Sequence, residues 1–282
     1  MTYNELLKIG ERKAHKNKME KSAVKSLLLF ASNKEPSKLY LELDTDCPKD
    51  IEDKYNLLLD EYVIKKRPVQ YILGFAYFYG YKILVNEGTL IPRWETEELT
   101  NNILIYYDRL FKGEKVKVLD LGTGSGAIAI ALKKEEPNMI VSASDISEDA
   151  INEAKRSADL NDADIDFRIG SWFEPFSEDE KFDIVVSNPP YLQTNEYVED
   201  IVKNNEPDVA LYGGDDGLKF YRIILENASK YLKKEKFIIG FEHGYDKKEE
   251  LNFIIKSHFQ DVKIINLKDS MNRDRMTIII KE

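Results

Sequence analysis

From Lys115 onward, short apolar runs alternate with segments of helical periodicity, and few folds accommodate such a chain. The runs at 116–121, 139–145, 166–169 and 182–187 are rich in β-branched and other apolar residues, which predicts four strands. Helical segments follow the first two of these strands. Because strands that alternate with helices form parallel sheets covered on both faces, this region is predicted to be a doubly wound α/β domain.

The end of the chain predicts a different strand arrangement. A helix is expected at 219–225, a strand at 237–242, a helix at 251–259 and two further strands at 262–267 and 276–280. The linker between the last two strands is too short for a helical crossover. These two strands are therefore predicted to pair antiparallel as a hairpin.

Three glycines, Gly122, Gly124 and Gly126, separate the first strand from its helix. Glycine permits a tight turn and lets a ligand lie against backbone N–H groups at a helix N-terminus. Asp145 ends the next strand, 19 residues after Gly126, where a carboxylate can accept hydrogen bonds from both hydroxyls of a ribose. These features predict a nucleotide-like cofactor. Both NAD and S-adenosylmethionine remain open, because Gly122, Gly124 and Ala127 also fit the dinucleotide-binding pattern.

The fourth strand runs directly into two consecutive prolines, Pro189 and Pro190. Neither has an N–H for a strand ladder, and each restricts the residue before it, so the strand must end in a rigid turn. Beside the prolines stand Asn188, with an amide side chain, and Tyr191, with an aromatic ring. An amide, backbone carbonyls left unpaired by the prolines and a ring can together grip a small planar group that carries an NH2. The turn therefore predicts chemistry on nitrogen.

Residues 1–72 are predicted to be helical. Thr2 and Glu5 form a capping-box pattern, and Pro36 and Pro48 break the region into short helices.

Residues 75–85 are dense in aromatic and β-branched residues, which predicts a β-hairpin that turns near Gly80 and bridges the helical region and the main domain. Since no basic residues are interleaved with its rings, these are assigned to packing and not to base stacking. The segment 90–98 then begins a helix with acidic first turns, where the helix dipole favours negative charge.

The net charge of −10 argues against a protein that coats nucleic acid nonspecifically, because phosphate neutralisation needs clustered Lys and Arg. The local exception is the segment 1–34, with eight Lys or Arg against three Glu. This excess is interpreted as a solvated helix face, with a docking surface for an acidic or RNA-bearing partner as the alternative.

One cysteine, Cys47, excludes an internal disulfide, and three histidines leave little for metal ligation. We therefore expect no metal and a reducing, cytoplasmic setting. The sequence shows no export signal and no run near the roughly 18 apolar residues that span a bilayer.

The turn at 188–191, together with the glycine turn at 120–126, resembles the amino-methyltransferases, which modify NH2 groups of adenine, guanine or glutamine. Further stretches at 70–74, 90–97 and 206–222 narrow the resemblance to the release factor glutamine methyltransferases. The likeness extends over nearly the whole chain.

This resemblance implies the class I S-adenosylmethionine-dependent methyltransferase fold, a Rossmann-like α/β structure whose seven-stranded sheet has its last strand antiparallel. It divides the chain into a small N-terminal helical domain at 1–74, a β-hairpin linker at 75–92 and a catalytic domain at 93–282. The helical domain is expected to recognise the release factor.

The implied reaction transfers a methyl group from S-adenosyl-L-methionine to the side-chain amide nitrogen, N5, of a glutamine in class 1 peptide chain release factors, within their Gly-Gly-Gln motif. The implied cofactor-binding residues are Gly122, Thr123, Gly124, Ser125 and Gly126 along the methionine and ribose, Asp145 on the ribose hydroxyls, Trp172 near the adenine, and Asn188.

The implied catalytic and substrate-binding residues are those of the turn. The side-chain oxygen of Asn188 and the carbonyl of Pro189 each accept one N–H of the substrate amide, Tyr191 packs against the flat amide, and Pro190 keeps the turn rigid. Such positioning supplies most of the catalysis and needs no general base.

Two rival interpretations share the cofactor. An adenine-N6 DNA or RNA methyltransferase also uses an Asn-Pro-Pro-Tyr turn, but it must extrude a base and hold the flanking backbone, usually with an added basic region. No such region is visible, so neither a direct nucleic-acid substrate nor a membrane partner is expected. A cofactor-binding scaffold without activity would leave the turn at Asn188 idle.

Overall fold

The computed structural model of the protein describes residues 1–282, and these form two compact units. The first unit contains Met1–Phe75 and the short segment Glu199–Asn205. The second unit contains Ala76–Val198 and Glu206–Glu282. Helices dominate the first unit, whereas the second holds a large sheet.

The helices are, in chain order, α1 (Tyr3–Lys16), α2 (Ser22–Ser32), α3 (Pro36–Leu41), α4 (Lys49–Val63), α5 (Val69–Leu73), α6 (Trp94–Phe111), α7 (Ala127–Glu135), α8 (Glu148–Leu160), α9 (Asp200–Lys203), α10 (Lys219–Tyr231) and α11 (Lys248–His258). The strands are β1 (Phe75–Phe78), β2 (Tyr81–Leu84), β3 (Val116–Leu121), β4 (Met139–Asp145), β5 (Ile165–Ile169), β6 (Ile184–Ser187), β7 (Phe237–Glu242), β8 (Lys263–Lys268) and β9 (Asp274–Lys281). A short 3-10 turn spans Asp208–Ala210.

The helix starts of the first unit follow the predicted signals. The capping box is present, since Thr2 Oγ1 accepts a hydrogen bond from the Glu5 N–H at 3.2 Å and the Glu5 carboxylate accepts one from the Thr2 N–H at 2.9 Å. α3 begins at Pro36 and α4 begins directly after Pro48. The first residues of a helix need no N–H partner, so a proline is tolerated there and stops the preceding segment.

The first unit has its own hydrophobic core. Val24 and Leu27 of α2 pack there with Tyr55 and Leu59 of α4, and all four are fully buried. The hydroxyl of Tyr55 donates to the carbonyl of Leu6 at 3.3 Å, so the one polar atom of this ring has a partner.

The sheet of the second unit has seven strands in the order β5-β4-β3-β6-β7-β9-β8. The strands from β5 to β7 pair in parallel, and β9 runs antiparallel to both β7 and β8. The predicted α/β class and the predicted terminal hairpin are thus confirmed. The strand order reverses direction at β3, which has β4 on one side and β6 on the other. Ligands of open α/β sheets bind at the carboxyl ends of the strands, next to the position where the strand order reverses.

Both faces of the sheet are covered by helices. Successive strand residues face opposite sides, so Val118 and Ile184 pack into a core with α6, α7 and α8, whereas Leu119 and Val185 pack into a core with α10 and α11. This burial on both sides explains why the strand runs are apolar throughout.

The fourth predicted strand begins later than the sequence indicated, at Ile184 and not at Phe182. The N–H of Phe182 donates instead to the carbonyl of Tyr231, and Phe182 forms an isolated bridge with Leu232. An apolar run in the sequence does not show whether its first residues join the hydrogen-bond ladder of a strand or form only an isolated bridge.

α6 packs closely against β7 at Gly240. A Cβ atom at this position would lie 2.5 Å from Cδ1 of Ile103, so only glycine permits the approach. The contact brings the first turn of α6 to the carboxyl end of β7, where Thr96 meets Glu242.

None of the helices combines the length and the apolar character required to cross a membrane.

Candidate active site

A cleft opens at the carboxyl ends of β3, β4 and β6. Its wall is mostly apolar, with a few polar groups, which suits a flat ligand that carries some hydrogen-bonding atoms. The residues that line it are Gly88, Thr89, Leu90, Gly122, Gly124, Asp145, Ile146, Ser147, Ala150, Ser171, Trp172, Asn188, Pro190, Pro207, Val209, Ala210 and Phe220.

Two of the three predicted glycines, Gly122 and Gly124, line this cleft. Both have positive φ angles, 69° and 55°, which other residues adopt only with strain. A Cβ atom on Gly122 would lie 3.3 Å from the ring of Trp172, whereas one on Gly124 would meet nothing within 4 Å. The turn therefore presents bare backbone to the cleft.

Three other residues predicted to bind the cofactor, Thr123, Ser125 and Gly126, do not line the cleft. Thr123 turns its hydroxyl away and donates it to Asp120 Oδ2 at 2.6 Å. Gly126 packs against α8, since a Cβ atom there would lie 3.0 Å from Cβ of Ala154. Thr123 and Gly126 therefore contribute to the shape of the turn, and Ser125 is buried within it.

Asp120 is a fully buried carboxyl group at the end of β3. Burial raises its pKa to about 7, although the hydrogen bond from Thr123 lowers it. Its Oδ1 atom accepts no hydrogen bond from another side chain or the backbone. An unpaired buried oxygen of this kind is costly for folding, and Asp120 itself does not line the cleft.

Asp145 connects two turns at the edge of the cleft. Its Oδ2 atom accepts a hydrogen bond from the Gly124 N–H, and its Oδ1 atom accepts one from the Ser147 N–H, each at 2.9 Å. Burial raises the pKa of Asp145, while these backbone donors lower it. Each oxygen retains a lone pair for a further donor, such as a hydroxyl group of a ligand.

Trp172 forms an apolar wall of the cleft together with Phe220, at a distance of 5.1 Å between ring centres. Its backbone is in the left-handed region, with a φ of 50°, and its carbonyl accepts a hydrogen bond from Ser144 Oγ at 2.7 Å. Sequence reasoning identified Trp172 but missed Phe220, which belongs to a helix far along the chain.

Asn188 stands at the end of β6, where it lines the cleft with Pro190. The preceding Ser187 is fully buried and donates its hydroxyl to the Leu121 carbonyl at 2.6 Å, which fixes the strand end. Asn188 Nδ2 donates to Thr96 Oγ1 at 3.0 Å, and Asn188 Oδ1 accepts no hydrogen bond from the protein.

Pro189 and Tyr191 of the same turn do not line the cleft. Pro189 is buried, and the hydroxyl of Tyr191 donates to Glu242 Oε1 at 3.2 Å. The ring of Tyr191 also lies 6.0 Å from the guanidinium of Arg275. The turn thus presents Asn188 to the cleft, while the buried Pro189 and the hydrogen bond from Tyr191 to Glu242 hold the turn in place.

Thr96 and Glu242 complete the surroundings of the turn, and sequence reasoning gave neither of them a role. Thr96 Oγ1 donates to Glu242 Oε2 at 2.6 Å, and both side chains are buried. The only sequence signal for Glu242 was a carboxyl group at the end of an otherwise apolar strand, next to the strand that ends at Asn188.

An ion pair between the half-buried Arg93 and the buried Glu206 holds another part of the rim. The Glu206 carboxylate accepts hydrogen bonds from Arg93 Nη2 and, at 3.1 Å, from the Ile91 N–H. It therefore ties the segment that contributes Leu90 to the segment that contributes Pro207.

Comparison with known proteins identifies the family. A family model described as Methyltransferase small domain matches residues 101–206. The release factor glutamine methyltransferase of Bacillus subtilis is 37% identical over 260 residues, which cover 91% of this chain and 90% of that protein. The corresponding protein of Bacillus cereus is 41% identical over 212 residues, which cover 74% of this chain and 75% of that protein. The chain belongs to the release factor glutamine methyltransferase family.

Solved structures agree in fold. A methyltransferase from Pyrococcus furiosus matches with a TM-score of 0.53 at 20% identity, over 81% of this chain and 97% of that chain. The 16S rRNA N2 G1207 methyltransferase of T. thermophilus, in complex with AdoMet and guanosine, matches with a TM-score of 0.52 at 16% identity, over 74% of this chain and 49% of that chain. The class I methyltransferase fold and the resemblance implied by the motifs are confirmed.

The cleft of this family member fits S-adenosyl-L-methionine, the cofactor of methyltransferases with this fold. The rings of Trp172 and Phe220 provide flat apolar surface for an adenine, and Asp145 retains lone pairs for ribose hydroxyls. The bare backbone at Gly122 and Gly124 leaves room for the rest of the molecule.

Proposed function

We propose that this protein methylates the side-chain N5 atom of a glutamine in class 1 peptide chain release factors, within their Gly-Gly-Gln motif, and that Asn188 presents this nitrogen to the methyl donor. Membership of the release factor glutamine methyltransferase family supports the reaction and the substrate. The protein is an S-adenosyl-L-methionine-dependent enzyme, and the geometry of its own residues supports the roles below.

The chemical difficulty lies in the nucleophile. An amide nitrogen is planar because its lone pair is delocalised into the carbonyl, so it attacks weakly. When bound, S-adenosyl-L-methionine would supply a methyl group made electrophilic by its sulfonium. The N–CH3 bond forms as the S–CH3 bond breaks, S-adenosylhomocysteine is the leaving group, and the methylated nitrogen gives up one proton to water. The task of the protein is therefore to hold the amide with one face of its nitrogen toward that methyl group.

Asn188 and Pro189 carry out this task. Asn188 Oδ1 has no donor within the protein and accepts one N–H of the substrate amide. The Pro189 side chain does not line the cleft, but no backbone N–H donates to its carbonyl, which accepts the other N–H. Both hydrogen bonds strengthen as positive charge develops on the nitrogen, and such differential binding lowers the barrier. Pro190 fixes the turn, and Tyr191 supports it from behind through Glu242.

The donor is held by the opposite parts of the cleft. Asp145 would accept hydrogen bonds from the ribose hydroxyls, Trp172 would offer its ring to the adenine, and the backbone at Gly122 and Gly124 would leave room for the remainder of the molecule. Thr123 and Gly126 maintain the shape of this turn.

One observation carries the proposal: Asn188 lines the cleft, its NH2 group is held by Thr96, and its oxygen is left without a partner. An acceptor presented in this way is suited to an NH2 group of the substrate.

The test uses the purified protein with methyl-labelled S-adenosyl-L-methionine and, in separate reactions, a class 1 release factor, duplex DNA and structured RNA. Label should appear on the release factor, and peptide mass spectrometry should place it on a glutamine side chain. Label on nucleic acid but not on the release factor would overturn the proposal. A release factor with Gln→Asn at the modified position serves as the control and should remain unlabelled.

We further propose that the helical region 1–74 recognises the release factor, joined by the hairpin at 75–92 to the catalytic region at 93–282, in a cytoplasmic protein without a direct nucleic-acid substrate. The local excess of basic residues in 1–34 gives this region a charge opposite to that of the whole chain. Weakened methylation of the release factor, with unchanged cofactor binding, is expected when these basic residues are replaced by Gln.

A further inference from the structure

A chain of hydrogen bonds joins Asn188 to a carboxyl group buried behind the turn. Asn188 Nδ2 donates to Thr96 Oγ1 at 3.0 Å, and Thr96 Oγ1 donates to Glu242 Oε2 at 2.6 Å. The second carboxyl oxygen, Oε1, accepts from the hydroxyl of Tyr191 at 3.2 Å. Glu242 is 1% exposed and Thr96 is 5% exposed, so water does not compete for these bonds. One carboxyl group thus holds two side chains of the turn.

The single hydroxyl proton of Thr96 determines in which direction the side chains of this hydrogen-bond network donate. An ionised carboxylate only accepts hydrogen bonds, so the Thr96 proton is directed to Glu242. The oxygen of Thr96 is then available only as an acceptor, and the NH2 group of Asn188 must face it. The oxygen of Asn188 is left for the substrate.

We propose that Thr96 and Glu242 are positioning residues for the methyl transfer, and that the ionised carboxylate of Glu242 keeps the oxygen of Asn188 available to the glutamine amide. This inference rests on the proposed function, because the group it concerns is the NH2 of the substrate glutamine. Neither residue touches the substrate, since each acts through Asn188.

Protonation of Glu242 removes this constraint. A protonated carboxyl group donates its own proton to Thr96, and the Thr96 hydroxyl then donates to Asn188. The amide of Asn188 turns over to accept it, because the terminal torsion of Asn has two similar wells. Its NH2 group would then face the NH2 group of the substrate, and two donors do not bind each other. Methyl transfer is therefore expected to decrease as Glu242 becomes protonated.

The surroundings of Glu242 place its titration in an accessible range of pH. Burial raises the pKa of Glu242 to about 7, and the charge of Glu95 on α6 raises it as well. The hydrogen bonds from Thr96 and Tyr191 and the positive charge of Arg275 lower it.

Arg275 is itself paired with the carboxylate of Asp269, at 3.4 Å, and two further titratable groups lie next to Glu242. Tyr221 of α10 donates its hydroxyl to the backbone carbonyl of Glu242 at 2.7 Å, and burial raises the pKa of this tyrosine. His243 follows Glu242 in the chain, and burial lowers its pKa, which favours the neutral ring. Glu242 is therefore the group of this cluster whose titration is expected near neutral pH.

The first experiment compares Thr96→Val with Thr96→Ser. Valine removes the hydroxyl at nearly constant volume, so kcat should fall about tenfold, the loss expected for one hydrogen bond in the transition state, while the affinity for S-adenosylhomocysteine stays within about twofold. Serine keeps the hydroxyl and should restore most of the rate. The matched control is Thr100→Val, one helical turn further along α6, whose buried hydroxyl bonds only to the Thr96 carbonyl at 3.0 Å. It should leave kcat within about twofold.

The second experiment follows pH. The kcat of the wild-type enzyme should rise with pH across neutrality, and Glu242→Gln should flatten this rise and lower the plateau, because glutamine does not ionise. Thermal unfolding of each variant separates this effect from loss of fold.

The third experiment needs no substrate and thus separates this inference from the proposed function. The side-chain NH2 signals of 15N-labelled Asn188, assigned by their loss in Asn188→Ala, should shift with pH across neutrality in the wild-type protein and stay constant in Glu242→Gln. Absence of methyl transfer in every reaction would contradict the proposed function alone. The inference would be overturned if the Asn188 NH2 signals showed the same pH dependence in the wild type and in Glu242→Gln. It would also be overturned if the Thr96→Val enzyme had the kcat and the pH profile of the wild type.

Discussion

The carboxylate of Asp145 accepts a hydrogen bond from the Gly124 N–H at 2.9 Å, and this bond ties the end of β4 to the glycine turn that follows β3. The same carboxylate holds the Ser147 N–H at the start of α8. It therefore fixes the backbone on two sides of the cleft before any ligand is bound, and it presents its remaining lone pairs to the ligand.

Asp145→Ala should weaken cofactor binding more than it slows transfer. The substitution removes the acceptors for the ribose and releases the Gly124 N–H, so we expect the Kd for S-adenosylhomocysteine to rise by at least about tenfold. At saturating S-adenosyl-L-methionine, kcat should decrease less than the affinity does. Calorimetric titration and steady-state kinetics check this, and Asp149→Ala on the exposed side of α8 serves as the control. Unchanged affinity would show that Asp145 only braces the turn.

Asn188→Ala should have the opposite effect. Because Asn188 orients the amide, its loss should abolish measurable transfer to the release factor, while the Kd for S-adenosylhomocysteine changes by less than about tenfold. Asn227→Ala is the matched control, since Asn227 is a half-buried asparagine of α10 that bonds to the Ile223 carbonyl and does not line the cleft. A large loss of cofactor binding in Asn188→Ala would mean that this residue serves the cofactor instead.

The parts of the site that the sequence predicted are those whose chemistry is local. Glycines are required at 122 and 124 by positive φ angles, and the prolines after Asn188 end a strand wherever they occur. Such requirements can be recognised from a few consecutive residues of the sequence.

The parts that the sequence did not reveal depend on packing between distant segments. Thr96 lies 92 positions before Asn188 and 146 positions before Glu242, and its bonds to both exist only because α6 approaches β7 at Gly240. No local pattern encodes that approach. The predicted roles of Thr123 and Gly126 illustrate the same limit. The motif places both residues in the turn, but it does not show whether they face the cleft or the rest of the protein.

The approach of α6 to β7 can be tested by adding one carbon. Gly240→Ala places a Cβ atom 2.5 Å from Ile103 Cδ1, within a fully buried core, so we expect the free energy of unfolding to fall by about 1–3 kcal/mol. Combining it with Ile103→Val removes the clashing methyl group and should recover part of the loss. Urea denaturation of the wild type, both single variants and the double variant measures this coupling. Additive losses in the double variant would contradict the proposed contact.

The two buried carboxyl groups predict how stability depends on pH. Burial raises the pKa of Glu242 from 4.5, and that of Asp120 from 3.8, to about 7 in each case. A group whose pKa is higher in the folded than in the unfolded protein stabilises the fold fully at a pH below its unfolded pKa, and this contribution is lost as the pH rises through the folded value. The free energy of unfolding of the ligand-free protein should therefore decrease between about pH 4.5 and pH 7 as these two groups ionise.

Glu242→Gln isolates the contribution of one of these groups. A shift of this size corresponds to about 3 kcal/mol over the whole interval, so the variant should show a visibly shallower decrease than the wild type. The remaining slope is the sum over the other groups whose pKa burial shifts, of which Asp120 and Asp145 contribute to the decrease and His243 opposes it. Denaturant unfolding at several pH values between about 4.5 and 7.5 gives both curves, and Glu226→Gln on the exposed face of α10 provides the control for loss of a surface carboxylate. Parallel curves for Glu242→Gln and the wild type would show that Glu242 remains ionised throughout this range. In that case the decrease belongs to the other buried carboxyl groups, Asp120 and Asp145, and the orientation of Asn188 does not change with pH.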